Sequence, residues 1–485
     1  MKTDAPDRGT ATQEITADIC VIGGGSGGLS VAAGAVQMGA STVLFERGLM
    51  GGDCLNYGCV PSKALLAAGH AAAAARKAGR FGISLPAPEI DFSKVHAHVR
   101  DVIAGIEPHD SVARFEELGV RVIQAQATFS DARTVTGGGV RVRARRFVIA
   151  TGSSAMIPPI AGLDSTPYLT NESIFDLTER PDHLLILGGG PIGCELAEAY
   201  RNLGADVTLI EAARLLGNED EEAADILRAH LTEIGVTLLE GALVKETSGA
   251  GRTVRLGIEQ DGLRRQIDGS HLLVAAGRSP NLEGLGLEAA GITFGRSGIE
   301  VDAGLKTSNR RVYAIGDVAG GLQFTHVAGY HASVVIRSAL FRMPAKADHS
   351  AVPRVTYTDP ELAHVGLLER QAREQHGEKL RVLKWPYQEN DRARAERATD
   401  GFIKVMVLKN GRVLGATIVG RNAGDLIQSW AMVIARKIKI GTIASSIVAY
   451  PTFGEIGKRA AGSFFTETLF SPRMRKIVRF LAAFG

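Results

Sequence analysis

Two cysteines five residues apart, Cys54 and Cys59, form the most reactive pattern in this sequence. They lie in the glycine-rich segment GGDCLNYGCVPSK, which covers residues 51–63. On a regular helix this spacing would separate them by about 7.5 Å along the axis, whereas a disulfide usually needs Cα atoms within about 7 Å. The first turn must therefore be irregular if the two sulfurs are to bond, and Asn56 and Gly58 permit such a turn.

A helix is predicted to start at this turn, because Pro61 suits a helix opening and the alanine-rich segment 62–80 continues it. Thiols at a helix N-terminus have a lowered pKa and react as thiolates, and Lys63 lies one turn into the helix. Two reduced, unreactive cysteines are the alternative, and the glycine-rich turn favours a reactive pair. No metal site is predicted, because the chain has no second cysteine pair. The remaining cysteines, Cys20 and Cys194, are expected to pack as small apolar residues.

A unit of strand, glycine loop and helix occurs twice, which indicates an internal repeat of dinucleotide-binding modules. The key positions of the first copy are Gly23, Gly25, Gly28 and, at the end of the next strand, Glu46. Those of the second copy are Gly188, Gly190, Gly193 and Glu211. The glycines allow a tight turn, the close approach of a pyrophosphate and tight packing of helix on strand. The helix N-terminus then presents free N–H groups to the phosphates.

The first copy is assigned to FAD, with Glu46 placed to accept hydrogen bonds from ribose hydroxyls. Two later strand ends fit the same ligand in combination with this loop. One carries Thr151 and Gly152, and the other carries Asp317, which is expected near the ribityl or phosphate region.

The second copy is assigned to the nicotinamide nucleotide. A carboxylate at Glu211 binds a free ribose 2′-hydroxyl and repels a 2′-phosphate, which favours NADH. Arg214 is close enough in sequence to keep NADPH open as an alternative. Gly277, which follows a further strand, is expected to close the nucleotide cleft of this domain.

Composition excludes several classes of function. The 485 residues carry 55 basic and 52 acidic side chains, a balance that argues against a nucleic-acid partner. The polar start predicts no signal peptide, and no apolar run is long enough to span a bilayer. We therefore predict a cytoplasmic enzyme.

The expected order along the chain is a disordered tail (1–16), an FAD-binding domain in two parts (17–155 and 281–350), an inserted NAD-binding domain (156–280), a dimerisation domain (351–465) and a basic amphipathic tail (466–485).

These residues and motifs resemble the class I pyridine nucleotide–disulfide oxidoreductases, from Asp18 to about Phe465. The match is most specific in GGDCLNYGCVPSK. The resemblance implies an α/β fold with two Rossmann-like, doubly wound domains and a C-terminal α+β dimerisation domain. It also implies a homodimer, in which the C-terminal domain of one subunit completes the active site of the other.

The resemblance further implies the roles of individual residues. Cys54 would be the thiol that meets the substrate, and Cys59 the thiol that contacts the flavin in a charge-transfer complex. Lys63 and Glu195 match the ion pair that the family places beside the flavin ring.

One motif departs from the family pattern. Tyr450 stands where the disulfide-reducing members have a histidine that acts as acid and base, while Glu455 matches the carboxylate that orients it. A phenol with a pKa near 10 is a poor base at neutral pH. Mercuric reductases resemble this sequence in having a tyrosine at that position. This sequence ends without their C-terminal cysteine pair and begins without their N-terminal metal-binding domain.

The favoured hypothesis is an NADH-dependent, mercuric-reductase-like enzyme that passes electrons through FAD to Cys54–Cys59 and on to a soft metal ion, a disulfide or a quinone. A dihydrolipoamide dehydrogenase that uses a different base is the second hypothesis. The third is a redox-sensing flavoprotein with little turnover.

The C-terminal segment has the period of an amphipathic helix. Met474, Ile477, Val478 and Leu481 fall on one face, and Arg473, Lys476 and Arg479 fall on the other. We favour a helix docked on the dimer or on a neighbouring domain over a peripheral contact with a membrane.

Overall fold

The computed structural model of the chain describes residues 13–251 and 253–484, with the backbone alone at residue 250. The α/β class is confirmed, with two Rossmann-like domains built on parallel strands and a C-terminal α+β domain. Within these ranges, no helix combines the length and apolar character needed to cross a bilayer.

The first domain is built on parallel strands in the order β3–β2–β1–β6, to which β5 and β4 add antiparallel. In chain order its elements are β1 (Gln13–Ile22), α1 (Ser26–Gln37), β2 (Thr42–Glu46), α2 (Gly52–Asn56), α3 (Cys59–Lys77), α4 (Phe92–Ile106), α5 (Val112–Glu117), β3 (Arg121–Gln124), β4 (Thr128–Asp131), β5 (Thr134–Gly137), β6 (Val140–Ile149) and β7 (Ser153–Ala155). The second half of β1 and most of β2 are buried on both faces, as expected for strands between helical layers.

Strand β1 begins earlier than the sequence analysis expected. Residues 13–16 pair in parallel with residues 140–143 of β6, so the predicted disordered tail is wrong for these four positions. A distant strand supplies their backbone partners, which the polar local sequence does not reveal. Residues 1–12 lie outside the described part of the chain.

The second domain has parallel strands in the order β10–β9–β8–β14 and a separate antiparallel sheet, β11–β12–β13. Its elements are β8 (His183–Leu187), α6 (Pro191–Asn202), β9 (Asp206–Glu211), α7 (Glu221–Glu233), β10 (Thr237–Glu240), β11 (Leu243–Ala250), β12 (Thr253–Gln260), β13 (Leu263–Gly269), β14 (His271–Val274) and β15 (Arg278–Pro280). Strands β7 and β15 pair antiparallel where the chain leaves and re-enters the first domain.

The next segment returns to the first domain. It comprises β16 (Phe294–Gly295), β17 (Gly298–Ile299), β18 (Val312–Ala314) and α8 (Thr325–Ala339). Strand β18 pairs in parallel with the end of β6. Helix α8 packs on α1 so closely that a Cβ atom at Gly27 would lie 3.2 Å from the Ala328 side chain.

The C-terminal domain has an antiparallel sheet in the order β19–β20–β23–β22–β21. Its elements are β19 (Arg354–Thr356), β20 (Glu361–Gly366), α9 (Glu369–His376), β21 (Leu380–Pro386), α10 (Asp391–Ala395), β22 (Phe402–Leu408), β23 (Val413–Gly420), α11 (Ala423–Ala435), α12 (Ile440–Ser445), α13 (Glu455–Leu469) and α14 (Pro472–Leu481). Helix α13 runs through the expected domain limit at residue 465, and α14 forms where the amphipathic period predicted a helix.

A buried lysine joins this domain to the second domain. Lys404 on β22 is 4% exposed, and its Nζ lies 3.0 Å from Asp220, 2.6 Å from Glu222 and 3.2 Å from Glu369. Asp220 also caps α7 by accepting the backbone N–H of Ala223. A buried cation is tolerated only when it is paired in this way.

The substitution Lys404→Met is therefore expected to lower the free energy of unfolding by about 3–5 kcal/mol, because it leaves the buried Asp220 carboxylate without its cation. Urea unfolding followed by circular dichroism measures this loss. Lys384→Met is the matched control: its exposed side chain pairs with the other oxygen of Glu222, and we expect a loss below about 1 kcal/mol. Equal losses of unfolding free energy in the two variants would contradict the role of Lys404 as the buried partner of Asp220.

Candidate active site

A break between two helices brings the cysteine pair together. Cys54 lies in α2, which ends at Asn56, and Cys59 is the first residue of α3. Between them Gly58 leaves the helical conformation, with φ −127° and ψ −110°. A Cβ atom at Gly58 would lie 3.0 Å from the Asp53 carboxylate and 3.1 Å from its carbonyl oxygen, so any side chain here would press on the turn. The irregular turn predicted from the spacing is confirmed.

The two thiols differ in acidity. Both are free in this structure. The hydrogen bond with Cys54 lowers the pKa of the Cys59 thiol to about 6, and Thr325 and the Lys63 ammonium act in the same direction. That hydrogen bond, together with burial, raises the pKa of Cys54 far above its ordinary value. Cys59 is therefore a thiolate near neutral pH, while Cys54 keeps its proton.

Lys63 and Glu195 lie on different helices and form an ion pair. Lys63 Nζ donates to Glu195 Oε2 at 2.6 Å and lies 4.5 Å from the centre of the Tyr357 ring. Oε1 of Glu195 accepts the backbone N–H of Tyr357 at 3.0 Å. Glu195 is buried, and a buried carboxylate is stable as an anion only with such partners.

The first glycine loop has no room for side chains at two of its predicted positions. Gly23 has φ +108°, and a Cβ atom there would lie 2.4 Å from the Ala150 carbonyl oxygen. A Cβ atom at Gly28 would lie 1.9 Å from the carbonyl oxygen of Gly23. Glu46 closes the loop by accepting the backbone N–H of Gly24 at 2.5 Å through one of its oxygens.

The second glycine loop repeats this geometry. Cβ atoms at Gly188 and Gly193 would lie 2.3 Å and 1.9 Å from backbone carbonyl oxygens, whereas one at Gly190 would meet no atom within 4 Å. Glu211 accepts the backbone N–H of Gly189 at 2.7 Å, as Glu46 does in the first loop. The open space above Gly190 suits a phosphate at the start of α6.

One cavity of about 1280 Å³ is lined by most of the predicted flavin and disulfide residues and by Gly277, which the sequence analysis assigned to the nicotinamide nucleotide. Its lining includes Gly23, Gly25, Glu46, Cys54, Cys59, Lys63, Thr151, Gly152, Glu195, Gly277 and Asp317. Gly28, Gly188, Gly190, Gly193 and Glu211 do not line it. The second loop instead reaches this cavity through the first residues of α6, Pro191 and Ile192.

The residues of this cavity fit FAD. Gly25 is the N-cap residue of α1 and provides no side-chain cap, which leaves backbone N–H groups free for a pyrophosphate. A Cβ atom at Gly152 would meet no atom within 4 Å, so space for a ligand remains beside it. Asp317 accepts a hydrogen bond from Ser153 at 2.6 Å, and burial raises the pKa of its carboxyl group.

Comparison with known proteins agrees with this geometry. The pyridine nucleotide-disulphide oxidoreductase family matches residues 17–332, and the dimerisation domain of the same family matches residues 352–461. The chain belongs to this family. As a class I pyridine nucleotide-disulphide oxidoreductase it is an FAD-dependent enzyme with a disulfide redox centre and a pyridine nucleotide substrate, and its dimerisation domain indicates a homodimer.

Relatives of this oxidoreductase carry two different activities in their names. The mercuric reductase of Bacillus cereus is 36% identical over 450 residues, which are 92% of this chain and 71% of that protein. The dihydrolipoyl dehydrogenase of Geobacillus stearothermophilus is 36% identical over 458 residues, 92% of this chain and 96% of that protein.

Two solved flavoprotein structures are also similar. The HOCl-induced flavoprotein disulfide reductase RclA from Escherichia coli has a TM-score of 0.82 at 29% identity, and the match covers 92% of this chain and 99% of RclA. LpdA from Mycobacterium tuberculosis has a TM-score of 0.84 at 28% identity, with 92% and 99% covered.

Tyr450 and Glu455 lie outside the cavity lining of their own chain in this oxidoreductase. The Tyr450 side chain is 69% exposed, and its hydroxyl donates to Asp391 Oδ2 at 3.1 Å. This hydrogen bond raises the pKa of the phenol above its ordinary value. Tyr450 is therefore protonated at neutral pH, as its residue type led us to expect.

Sequence reasoning missed a polar network behind the cysteines. Arg278 Nη2 lies 3.2 Å from Asp53 Oδ2 and donates to the Ser153 carbonyl oxygen at 2.7 Å. Asn171 donates to Asp53 Oδ1 at 2.8 Å and to the Tyr57 carbonyl oxygen at 3.3 Å. The acidic residue next to Cys54 was a signal that a cation must lie nearby, but no local pattern pointed to Asn171.

Alkylation of the reduced protein by iodoacetamide, followed by mass spectrometry across pH, tests the acidity of the pair. The rate at Cys59 is expected to rise with a midpoint at about pH 6 and to level off at higher pH, since only the thiolate reacts. Cys54→Ala removes the hydrogen-bond donor and is expected to move this midpoint to higher pH. Cys20→Ala, in the buried β1 strand, is the control that should leave it unchanged. A midpoint near pH 9 in the wild type would contradict the predicted acidity.

Proposed function

We propose that this oxidoreductase uses NADH to reduce the Cys54–Cys59 pair and passes the electrons to a soft metal ion, in the manner of a mercuric reductase. The observation that carries the proposal is Tyr450, a protonated phenol where the disulfide-reducing members of the family place a histidine. Its hydrogen bond to Asp391 raises the pKa of the phenol, so even less of the phenolate that could accept a proton is present at neutral pH.

Proton balance explains why this residue discriminates between acceptors. Reduction of a disulfide by NADH consumes one proton, and each departing thiolate has to be protonated, which calls for an acid–base group near neutral pH. Reduction of Hg(II) by NADH yields Hg(0), NAD⁺ and one proton. When thiols deliver the Hg(II), their thiolates leave the metal by ligand exchange, without cleavage of a sulfur–sulfur bond, and take their protons from solvent, so a phenol suffices.

The chain's own residues prepare the site for this chemistry. FAD, when bound, supplies the two-electron relay between the nicotinamide and the cysteines. The free N–H groups at the start of α1 would hold its pyrophosphate, and Lys63, held by Glu195, places a positive charge beside Cys59. The low pKa of Cys59 provides a thiolate, which is the form of cysteine that binds soft metal ions.

Dimerisation accounts for the exposed position of Tyr450. In the proposed homodimer, Tyr450 and Glu455 of one subunit face Cys54 of the other, which explains why they are absent from the cavity of their own chain. The name of a solved relative also supports a metal acceptor, since RclA from E. coli was solved as a Cu(II) complex.

The proposed donor is NADH rather than NADPH. Glu211 ends β9 and places a carboxylate at the second glycine loop, where it would repel a 2′-phosphate. Arg214 supplies no free cation there, because it pairs with Glu221 and Asp225.

A dihydrolipoamide dehydrogenase that uses a different base is the second candidate. The dihydrolipoyl dehydrogenase of G. stearothermophilus is as similar to this chain as the mercuric reductase of B. cereus, at 36% identity. This candidate requires a base other than Tyr450.

The choice between these activities is tested with the FAD-loaded enzyme by following NADH oxidation with thiol-buffered Hg(II) and, separately, with lipoamide. We expect Hg(II)-dependent oxidation of NADH and no lipoamide turnover. Tyr450→His would place an imidazole near Glu455 and is expected to raise lipoamide turnover by about 100-fold. Tyr450→Phe is the control that should leave it at background.

Brisk lipoamide turnover by the wild-type enzyme would sink the metal-reductase proposal in favour of the dehydrogenase. Failure with both acceptors would also reject it.

Nucleotide preference is tested by steady-state kinetics with NADH and NADPH. We expect kcat/KM to favour NADH by about ten- to a hundredfold, because a hydrogen bond to a charged group contributes about 1.5–3 kcal/mol. Glu211→Ala is expected to remove most of this preference, whereas Glu233→Ala, at the end of α7, should keep it. A preference of the wild-type enzyme for NADPH would refute the proposal that NADH is the electron donor.

A further inference from the structure

Helix α14 presents an apolar face that the described part of its own chain does not cover. None of its residues is buried. The exposed apolar side chains here are Phe470, Ile477, Val478, Phe480, Leu481 and Phe484. The predicted docking on a neighbouring domain of the same chain is therefore not found, and the face needs another partner.

The helix has strong local determinants. Ser471 caps it by accepting the backbone N–H of Met474 at 3.2 Å, and Pro472 occupies its first turn. The rings of Phe480 and Phe484 contact each other one turn apart, 5.0 Å between centres. These features favour a helix even though its apolar face lacks tertiary packing.

Charge identifies the kind of partner. Residues 468–485 contain four cations, Arg473, Arg475, Lys476 and Arg479, and no acidic residue. The whole chain has a formal net charge of +3, so the residues outside this segment together carry −1. The positive charge of the molecule is thus concentrated beside its exposed apolar face.

The cations are placed as in helices that lie on membranes. At 3.6 residues per turn, Ile477 and Leu481 lie near the middle of the apolar face, and Lys476 and Arg475 lie beyond its opposite edges. Long basic side chains at these edges can extend to lipid phosphates while the apolar face enters the headgroup region.

A second copy of the chain fits this surface less well. The part of the family that forms the dimer matches residues 352–461 and ends before α14 begins. The rest of the chain has a formal net charge of −1, so the overall charge of a second copy attracts this basic helix only weakly.

We propose that α14 attaches the enzyme peripherally to an anionic lipid surface, with its apolar face at the level of the headgroups. This attachment is independent of the proposed electron acceptor. Its failure would leave the reductase proposal untouched.

The test is flotation of the FAD-loaded, full-length enzyme with vesicles of phosphatidylcholine alone or mixed with phosphatidylglycerol. We expect binding to the anionic vesicles, weakening as salt is raised. Ile477→Glu with Leu481→Glu should abolish it. Arg475→Gln with Arg479→Gln should weaken it about twenty-fold at low salt.

Arg265→Gln with Arg296→Gln is the matched control, because it removes the same charge from exposed positions of other domains and should leave binding unchanged. Light scattering on the same samples reports the oligomeric state. The proposal is overturned if the wild type binds neither vesicle, or if the control weakens binding as much as the tail variants do. It is also overturned if the tail variants break the dimer while no form of the enzyme binds lipid, which would make a second copy the partner.

Discussion

The close packing of α3 on α6 is the constraint that sets the geometry of the active site. A Cβ atom at Gly69 of α3 would lie 3.2 Å from the carbonyl oxygen of Ala199 on α6, so glycine and alanine allow the two helices to approach. This approach lets Lys63 reach Glu195 across the interface. Helix α3 begins with Cys59 and α6 begins at the second glycine loop. One helix pair therefore fixes the position of the disulfide centre relative to the nucleotide donor.

The same helix collects contacts from the C-terminal domain. Glu195 accepts the backbone N–H of Tyr357, and Glu198, one turn later, accepts that of Asp359 at about 3 Å. His70 of α3 lies 3.2 Å from Glu198. Both carboxylates are buried, and a buried charge that lost these partners would be costly. The partners of Glu195 and Glu198 thus join the second domain to the first domain and to the C-terminal domain around the cavity.

Cys59 and Tyr450 differ in their protonation at neutral pH: Cys59 is a thiolate, and Tyr450 is a neutral phenol. The turn between α2 and α3 places Cys54 as hydrogen-bond donor to Cys59, which stabilises the anion at Cys59. Tyr450 keeps its proton at neutral pH, and its hydrogen bond to Asp391 raises the pKa of the phenol further. Two relatives with different activities in their names, a mercuric reductase and a dihydrolipoyl dehydrogenase, are each 36% identical to this chain. Identity over the whole chain therefore does not separate the two activities, and the proposed function rests on the residue at position 450.

The sequence by itself determined those features that follow from the type and spacing of residues within short segments. Glycines that allow no Cβ atom, a cysteine spacing that cannot fit a regular helix and a phenol in place of an imidazole can all be recognised in short segments. Only the tertiary structure decided the strand partner of residues 13–16, the Asn171 and Arg278 contacts to Asp53, and the pairing of Tyr450 with Asp391. These contacts join residues tens to more than two hundred positions apart. They form only when whole elements pack together, and no local pattern of charge or hydropathy encodes that packing.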